Sequence, residues 1–144
     1  MLGKIHNPDK NRQAIIFDGL QFGDICLTDI DGIFDCKGRG YIFHETKTAG
    51  APLTVGQRIL FTRLANDLAK NHIPAIVIVS QHDKTDPNDD VILKDALVTK
   101  VKVCHDDWVN IKRPVTVQKM QQTAIAALFN KDINSLRDFV KQQE

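Results

Sequence analysis

The chain has 144 residues, of which 42% are hydrophobic and 26% charged, and a net charge of +1. That length suits one domain with its own core, and the balance excludes a disordered or membrane-embedded chain. The near-neutral charge does not by itself announce a nucleic-acid binder.

Apolar runs such as Ala75 to Val79 are far too short to span a bilayer, so no membrane association is expected. Met1 to Arg12 is polar and holds no apolar segment of the kind that begins a secretory signal. Cys26, Cys36 and Cys104 are odd in number, far apart and without CxxC spacing. Reduced thiols in a cytoplasmic protein are expected from them, rather than a zinc knuckle. No repeat, low-complexity tract or linker divides the chain, so residues 1–144 are expected to form a single domain.

In chain order, residues 13–22 are apolar but short, either a turn of helix or an edge strand. Asp24 to Asp35 alternates, carried by Ile25, Leu27, Ile30, Ile33 and Phe34, and reads as a strand. Cys36-Lys37-Gly38-Arg39-Gly40 carries the glycines of a tight hairpin loop, and Tyr41 to Lys47 forms the returning strand. Thr54 is positioned to cap a helix running to about Asn71, whose apolar stripe is Val55, Ile59, Leu60, Leu64, Leu68 and Ala69. Ile73-Pro74 ends that helix. Ala75 to Val79 has the continuous apolar pattern of a strand buried on both faces. Residues 81–90 read as an exposed loop, Ala96 to Val103 as a further strand. Thr116 to Asn130 and Asp132 to Gln142 read as two closing helices. The order strand, strand, helix, strand, strand, helix, helix predicts an α/β domain with a mixed sheet.

The first hairpin carries the chemistry. With the turn centred on Gly38, residues whose numbers lie equally far from it face each other across the antiparallel pair. Asp31 then opposes Glu45, and Asp29 opposes Lys47. Opposed residues share a face, as do positions two apart along a strand, so Asp29, Asp31, Glu45 and Lys47 converge on one patch. A one-residue slip would instead oppose Asp31 to Thr46. Three carboxylates in one patch need a cation. A hard ion such as Mg²⁺ takes one or two carboxylates and leaves room for a phosphate oxygen, which a neighbouring lysine can also neutralise. The plain alternative is a cross-strand ion pair between Asp29 and Lys47 on a solvated sheet face.

Asp31, an apolar strand, a glycine turn, a second apolar strand and Glu45-Thr46-Lys47 together resemble the D…(D/E)xK signature of the PD-(D/E)xK nucleases. Thr28-Asp29-Ile30-Asp31-Gly32, Glu45-Thr46-Lys47 and Gly56-Gln57-Arg58 are similar to small phage-encoded members. The resemblance covers roughly residues 24–80. It implies a restriction-endonuclease-like fold, a mixed β-sheet flanked by helices, with Mg²⁺ or Mn²⁺ as cofactor and DNA as partner, in a bacterial or phage-infected cytoplasm. It assigns Asp31, Glu45, the Thr46 carbonyl and, in place of an upstream acid, Asp29 to the metal. Lys47 would position the attacking water, and Gln57 would sit beside the site. Phe61 stands where several relatives carry tyrosine, and many members supply a further acid from a helix ahead of the first strand; this chain offers only Asp9, Asp18 and Asp24 there.

The expected activity is hydrolysis of DNA phosphodiester bonds by a metal-activated water. The rival readings are a catalytically silent nuclease-like domain that binds nucleic acid or protein, and a pure assembly domain built on helices 116–142. His44 points to the face opposite Glu45 and is read as a packed histidine. His82 and Asp83 are read as loop residues, Cys104 as an unreactive thiol, and Trp108 as a core or interface residue. In the closing helices, Val115, Val117, Met120, Ala124, Ala127 and Leu128 form one apolar stripe; Leu136, Phe139 and Val140 form another. Either both pack on their own domain, or one is left for a symmetric homodimer.

Overall fold

A computed structural model describes residues 14–144. Met1–Arg12 and Gln13 lie outside the described residues. A five-stranded sheet runs in the spatial order β1 (Gly32–Asp35), β2 (Tyr41–Thr48), β3 (Ala75–His82), β4 (Leu97–Val103), β5 (Val109–Asn110). β1 and β2 are antiparallel, β2 and β3 parallel, and β3–β4 and β4–β5 antiparallel. The sheet is therefore mixed. Helix α1 (Val55–Lys70) provides the crossover between the parallel pair. Helices α2 (Val117–Phe129) and α3 (Ile133–Gln142) follow the last strand.

The period of a strand divides the core in two. Phe43, Ala75, Val77 and Val79 face α1 and pack on Phe61 and Ala65. Ile42, Ile76, Ile78, Val101 and Val103 point the other way, under Met120, Ala124, Leu128, Leu136 and Val140. β3 is the strand buried on both sides, with Ala75 to Ile78 fully inaccessible. Both apolar stripes of the closing helices are consumed by this second cluster: Leu136 and Val140 are buried, and Phe139 packs against them. Neither stripe is left as a free surface.

The hairpin closes through a type I′ turn. Arg39 N–H donates to the Cys36 carbonyl at 3.1 Å, with Lys37 at φ 52° and Gly38 at φ 78°. Gly40 is needed for another reason, since a Cβ there would lie 2.5 Å from the Pro74 carbonyl oxygen. The register pairs Gly32 with His44 and Asp35 with Tyr41, so the turn is centred as the sequence predicts.

Several boundaries differ from expectation. The first strand begins at Gly32 rather than Asp24, because Tyr41 to His44 offer ladder partners only to residues 32–35. Residues 14–22 form neither helix nor edge strand; a turn from Phe17 to Leu20 and a single bridge between Phe22 and Ile25 are their structure. Ile15, Ile16, Leu20, Phe22, Ile25 and Leu27 are exposed there. In α1 the buried positions are Gln57, Phe61 and Ala65, whereas Val55 and Ile59 face solvent. The helix is rotated because Phe61 fills the core and Gln57 is held by a buried carboxylate. β5, two residues long, gave no periodic signal. No described helix is long and apolar enough to cross a membrane.

Candidate active site

Glu45 sits on β2 with its side chain on the α1 side of the sheet, 4% exposed. Its Oε1 accepts a hydrogen bond from Gln57 Nε2 at 2.7 Å and an ion pair from Lys47 Nζ at 3.1 Å. Positions two apart on a strand share a face, so the Glu45-Thr46-Lys47 spacing puts acid and cation side by side. Gln57 is delivered by the start of α1. Thr54 Oγ1 accepts from Gln57 N–H at 3.2 Å, while Gln57 Oε1 accepts from Thr54 N–H at 3.3 Å. This capping box leaves the Gln57 amide nitrogen free to reach Glu45. One side chain thus ties the helix start to the sheet.

Glu45 Oε2 is buried and has no hydrogen-bond partner among the described residues. Burial pushes the Glu45 carboxyl up from its ordinary value. The hydrogen bond from Lys47 pulls it back, and the negative charge of Asp31 pushes it up again. Asp31, exposed at the mouth of β1, accepts from Thr46 N–H through Oδ2 at 2.8 Å. Continuing the observed register by one residue places Asp31 opposite Glu45.

Asp29 does not join them. It lies ahead of the first paired residue, is exposed, and makes no hydrogen bond or ion pair among the described residues; Lys47 pairs with Glu45 instead. The third ligand and the Asp29–Lys47 ion pair are both absent from the arrangement. Among the described residues no three His, Cys, Asp or Glu side chains converge in a way that would hold a metal by themselves. No protein-family model, curated protein or solved structure matches the chain. The site must be read from its own geometry.

That geometry includes cations the sequence did not assign to it. Lys100 on β4 opposes Val79, and Val79 opposes Glu45, so Lys100 shares the Glu45 face about 10 Å away. Lys102, on the same face, is 2% exposed and donates to the Asp106 carbonyl at 2.6 Å; burial holds its pKa below the ordinary lysine value. Alternation in Leu97–Val103 carried the signal, because both lysines fall on one parity. Trp108 covers part of this face and donates to Thr62 Oγ1 at 3.0 Å, as a packed residue does.

His44 is buried on the opposite face, its Nε2 against Gln121 Oε1, with a pKa held down by burial. Cys104 is a free buried thiol pushed up by burial, and Cys26 and Cys36 are also free. A cavity of about 780 Å³ opens at the ends of β2 and β3, lined by residues including Ala49, Gln81 and Arg113, but none of Asp31, Glu45, Lys47 or Gln57 lines it.

Proposed function

We propose that this domain is a metal-dependent nuclease of the PD-(D/E)xK type that hydrolyses DNA phosphodiester bonds. The observation that carries the reading is the Glu45 carboxylate. It is buried and held by Gln57 and Lys47, yet among the described residues one of its oxygens is left without a donor. A buried carboxylate oxygen without a partner is costly, and a cation approaching from the Asp31 side would relieve it. The donor set fits Mg²⁺ or Mn²⁺: two carboxylates, Asp31 and Glu45, with the remaining positions open to water and substrate phosphate. It does not fit a closed protein cage. When bound, the ion would polarise the scissile phosphate and lower the pKa of a water.

The chain's own groups do the rest. Gln57 fixes the Glu45 rotamer, so the free oxygen keeps its aim. Lys47, tethered 3.1 Å from Glu45 Oε1, stands where negative charge grows on the phosphoryl oxygens during attack and stabilises it without reorganising. Asp31 is oriented by the Thr46 N–H. Strand order supports the restriction-endonuclease-like fold: the hairpin bearing Asp31 and Glu45, the α1 crossover, and a parallel partner strand.

The catalytically silent reading is favoured by one observation, the two-carboxylate set without a third acid. A single experiment separates them. Duplex, branched and single-stranded DNA are incubated with the protein in Mg²⁺ or Mn²⁺, and crystals soaked in Mn²⁺ are examined for anomalous scattering. Cleavage with an ion bound by Asp31 and Glu45 at about 2.1 Å supports the nuclease. DNA binding without cleavage or bound ion supports the silent domain.

A further inference from the structure

Four described residues other than glycine adopt positive φ, and three of them are basic or histidine and line one cavity: Lys37 (52°), His72 (63°) and Lys131 (52°). This cavity, of about 580 Å³, lies at the far end of the sheet from Glu45, between the hairpin tip, Pro74 and Leu128. Each of the three occupies a position where glycine is the stabler residue. Lys37 is the first central residue of the type I′ turn. His72 and Lys131 are the left-handed residues that follow the helix caps Asn71 and Asn130. Both helix ends have the paired bonds of the Schellman motif: Ile73 N–H to Leu68 O and His72 N–H to Ala69 O, then Asp132 N–H to Ala127 O and Lys131 N–H to Leu128 O.

Arg39 is the third cation of the cavity, beside Lys37 and Lys131. It is held in place by stacking 4.8 Å over the Phe129 ring and donating to the Phe129 carbonyl at 3.3 Å. Among the described residues no acidic side chain lines the cavity, and Lys37 and Lys131 have no ion-pair partner. The two neighbouring carboxylates are engaged, Asp35 with the Gly38 N–H and Asp132 with the Ser135 N–H. Strained backbone that carries convergent cations is strain kept for their placement.

We propose that this cavity binds a phosphate group, and that the phosphate belongs to the backbone of duplex nucleic acid. The choice of nucleic acid rests on the nuclease reading above. Arg39 and Glu45 are six residues apart along the hairpin strand, about 20 Å, which is about six base pairs of duplex. The cavity would anchor the substrate at that distance from the scissile bond, fixing register without reading sequence.

The test uses Lys37→Gly with Lys131→Gly, which removes two charges and the strain together. The variant is expected to be slightly more stable, with a melting temperature up by a few degrees, so loss of fold does not confuse the result. Binding to a 16-base-pair duplex is measured in EDTA, where no cleavage is asked of the protein, across a range of salt. The expected result is at least a tenfold weaker complex at low salt and a log–log salt slope shallower by about 1.8. The control pair Lys94→Ala with Lys141→Ala, of equal charge loss, is expected to leave both nearer the wild-type values. Inorganic phosphate titrated into labelled protein should shift the amide resonances of residues 37–40, 72 and 131. Equal losses in the two double variants overturn the proposal, as does phosphate that leaves those resonances unmoved. Phosphate shifts without duplex binding by the wild type overturn the nucleic-acid assignment. A wild type that cleaves nothing while the binding difference stands refutes the nuclease reading and supports the anchor.

Discussion

Replacing Gln57 by leucine tests the joint between helix and site. Leucine is close to glutamine in volume, and the position is 7% exposed, so the change removes polar contacts without opening a cavity. Two bonds are lost: Nε2 to Glu45 Oε1 at 2.7 Å and the Thr54 N–H to Oε1 at 3.3 Å. The first is charge-assisted and buried, worth about 1.5–3 kcal/mol; the reciprocal cap adds about 0.5 kcal/mol. Burial of the leucine side chain returns about 1 kcal/mol. A net loss of about 2 kcal/mol is expected at pH 7. With a urea dependence of about 2 kcal/mol per molar, the midpoint falls by about 1 M. The loss should depend on pH. The Gln57 bond favours ionised Glu45, so its removal raises the carboxyl further. The deficit is largest above the native pKa of Glu45 and shrinks as pH falls through it, because a protonated Glu45 loses only a neutral bond. Urea titrations at pH 7 and pH 4 measure both values. Equal shifts at the two pH values, or none at pH 7, would refute the charge-assisted account.

Lys47→Ala should keep the fold and most DNA affinity while cleavage falls by at least about a hundredfold, as for a preorganised charge; unchanged single-turnover rates would remove Lys47 from the mechanism. Glu45→Gln should stabilise the metal-free protein at neutral pH while abolishing Mn²⁺ binding. The sign follows from the raised native pKa: the folded state holds the proton longer than the unfolded state, so Glu45 lowers stability as pH rises through that interval, and thermal melts of the variant should lack this decline. Phe139→Glu should unfold the domain rather than dissociate an oligomer, because Phe139 packs on the core beneath α3; circular dichroism beside light scattering checks this. A folded variant whose mass drops by half would place an interface there after all.

What the sequence revealed of the fold was whatever one element could specify alone. Thr54 caps α1, Thr116 caps α2 and Asp132 caps α3, each accepting from a backbone N–H in the first turn, and these helix starts are legible from the cap residues. β3 is legible because a strand buried on both faces has no polar alternation to confuse. The start of β1 was not, because Asp24 to Asp31 has the alternation of a strand but no neighbour to pair with. The rotation of α1 was hidden for a related reason. Val55 and Ile59 fit a helical stripe, and only the contact with Glu45 shows that a glutamine takes the buried place.

The site follows the same division between local and non-local information. A turn centred on Gly38 fixes the sum of paired residue numbers, and that sum carries Asp31 to Glu45 without any knowledge of the rest of the chain. The arithmetic holds only as far as the ladder. Asp29 has the right number to oppose Lys47, but the strand has not yet begun there, and the lysine turns to the acid two residues away on its own strand. Lys100 and Gln57 come to the Glu45 face from 55 and 12 residues further along the chain, only through β3 and the α1 cap, which hairpin arithmetic cannot reach.

 Lys100 depends on the register of β4 against β3, and Gln57 on the capping box at Thr54. Both are set by packing between elements: the hairpin arithmetic carries neither, and before the sheet is assembled Gln57 is placed beside the site only by the family resemblance.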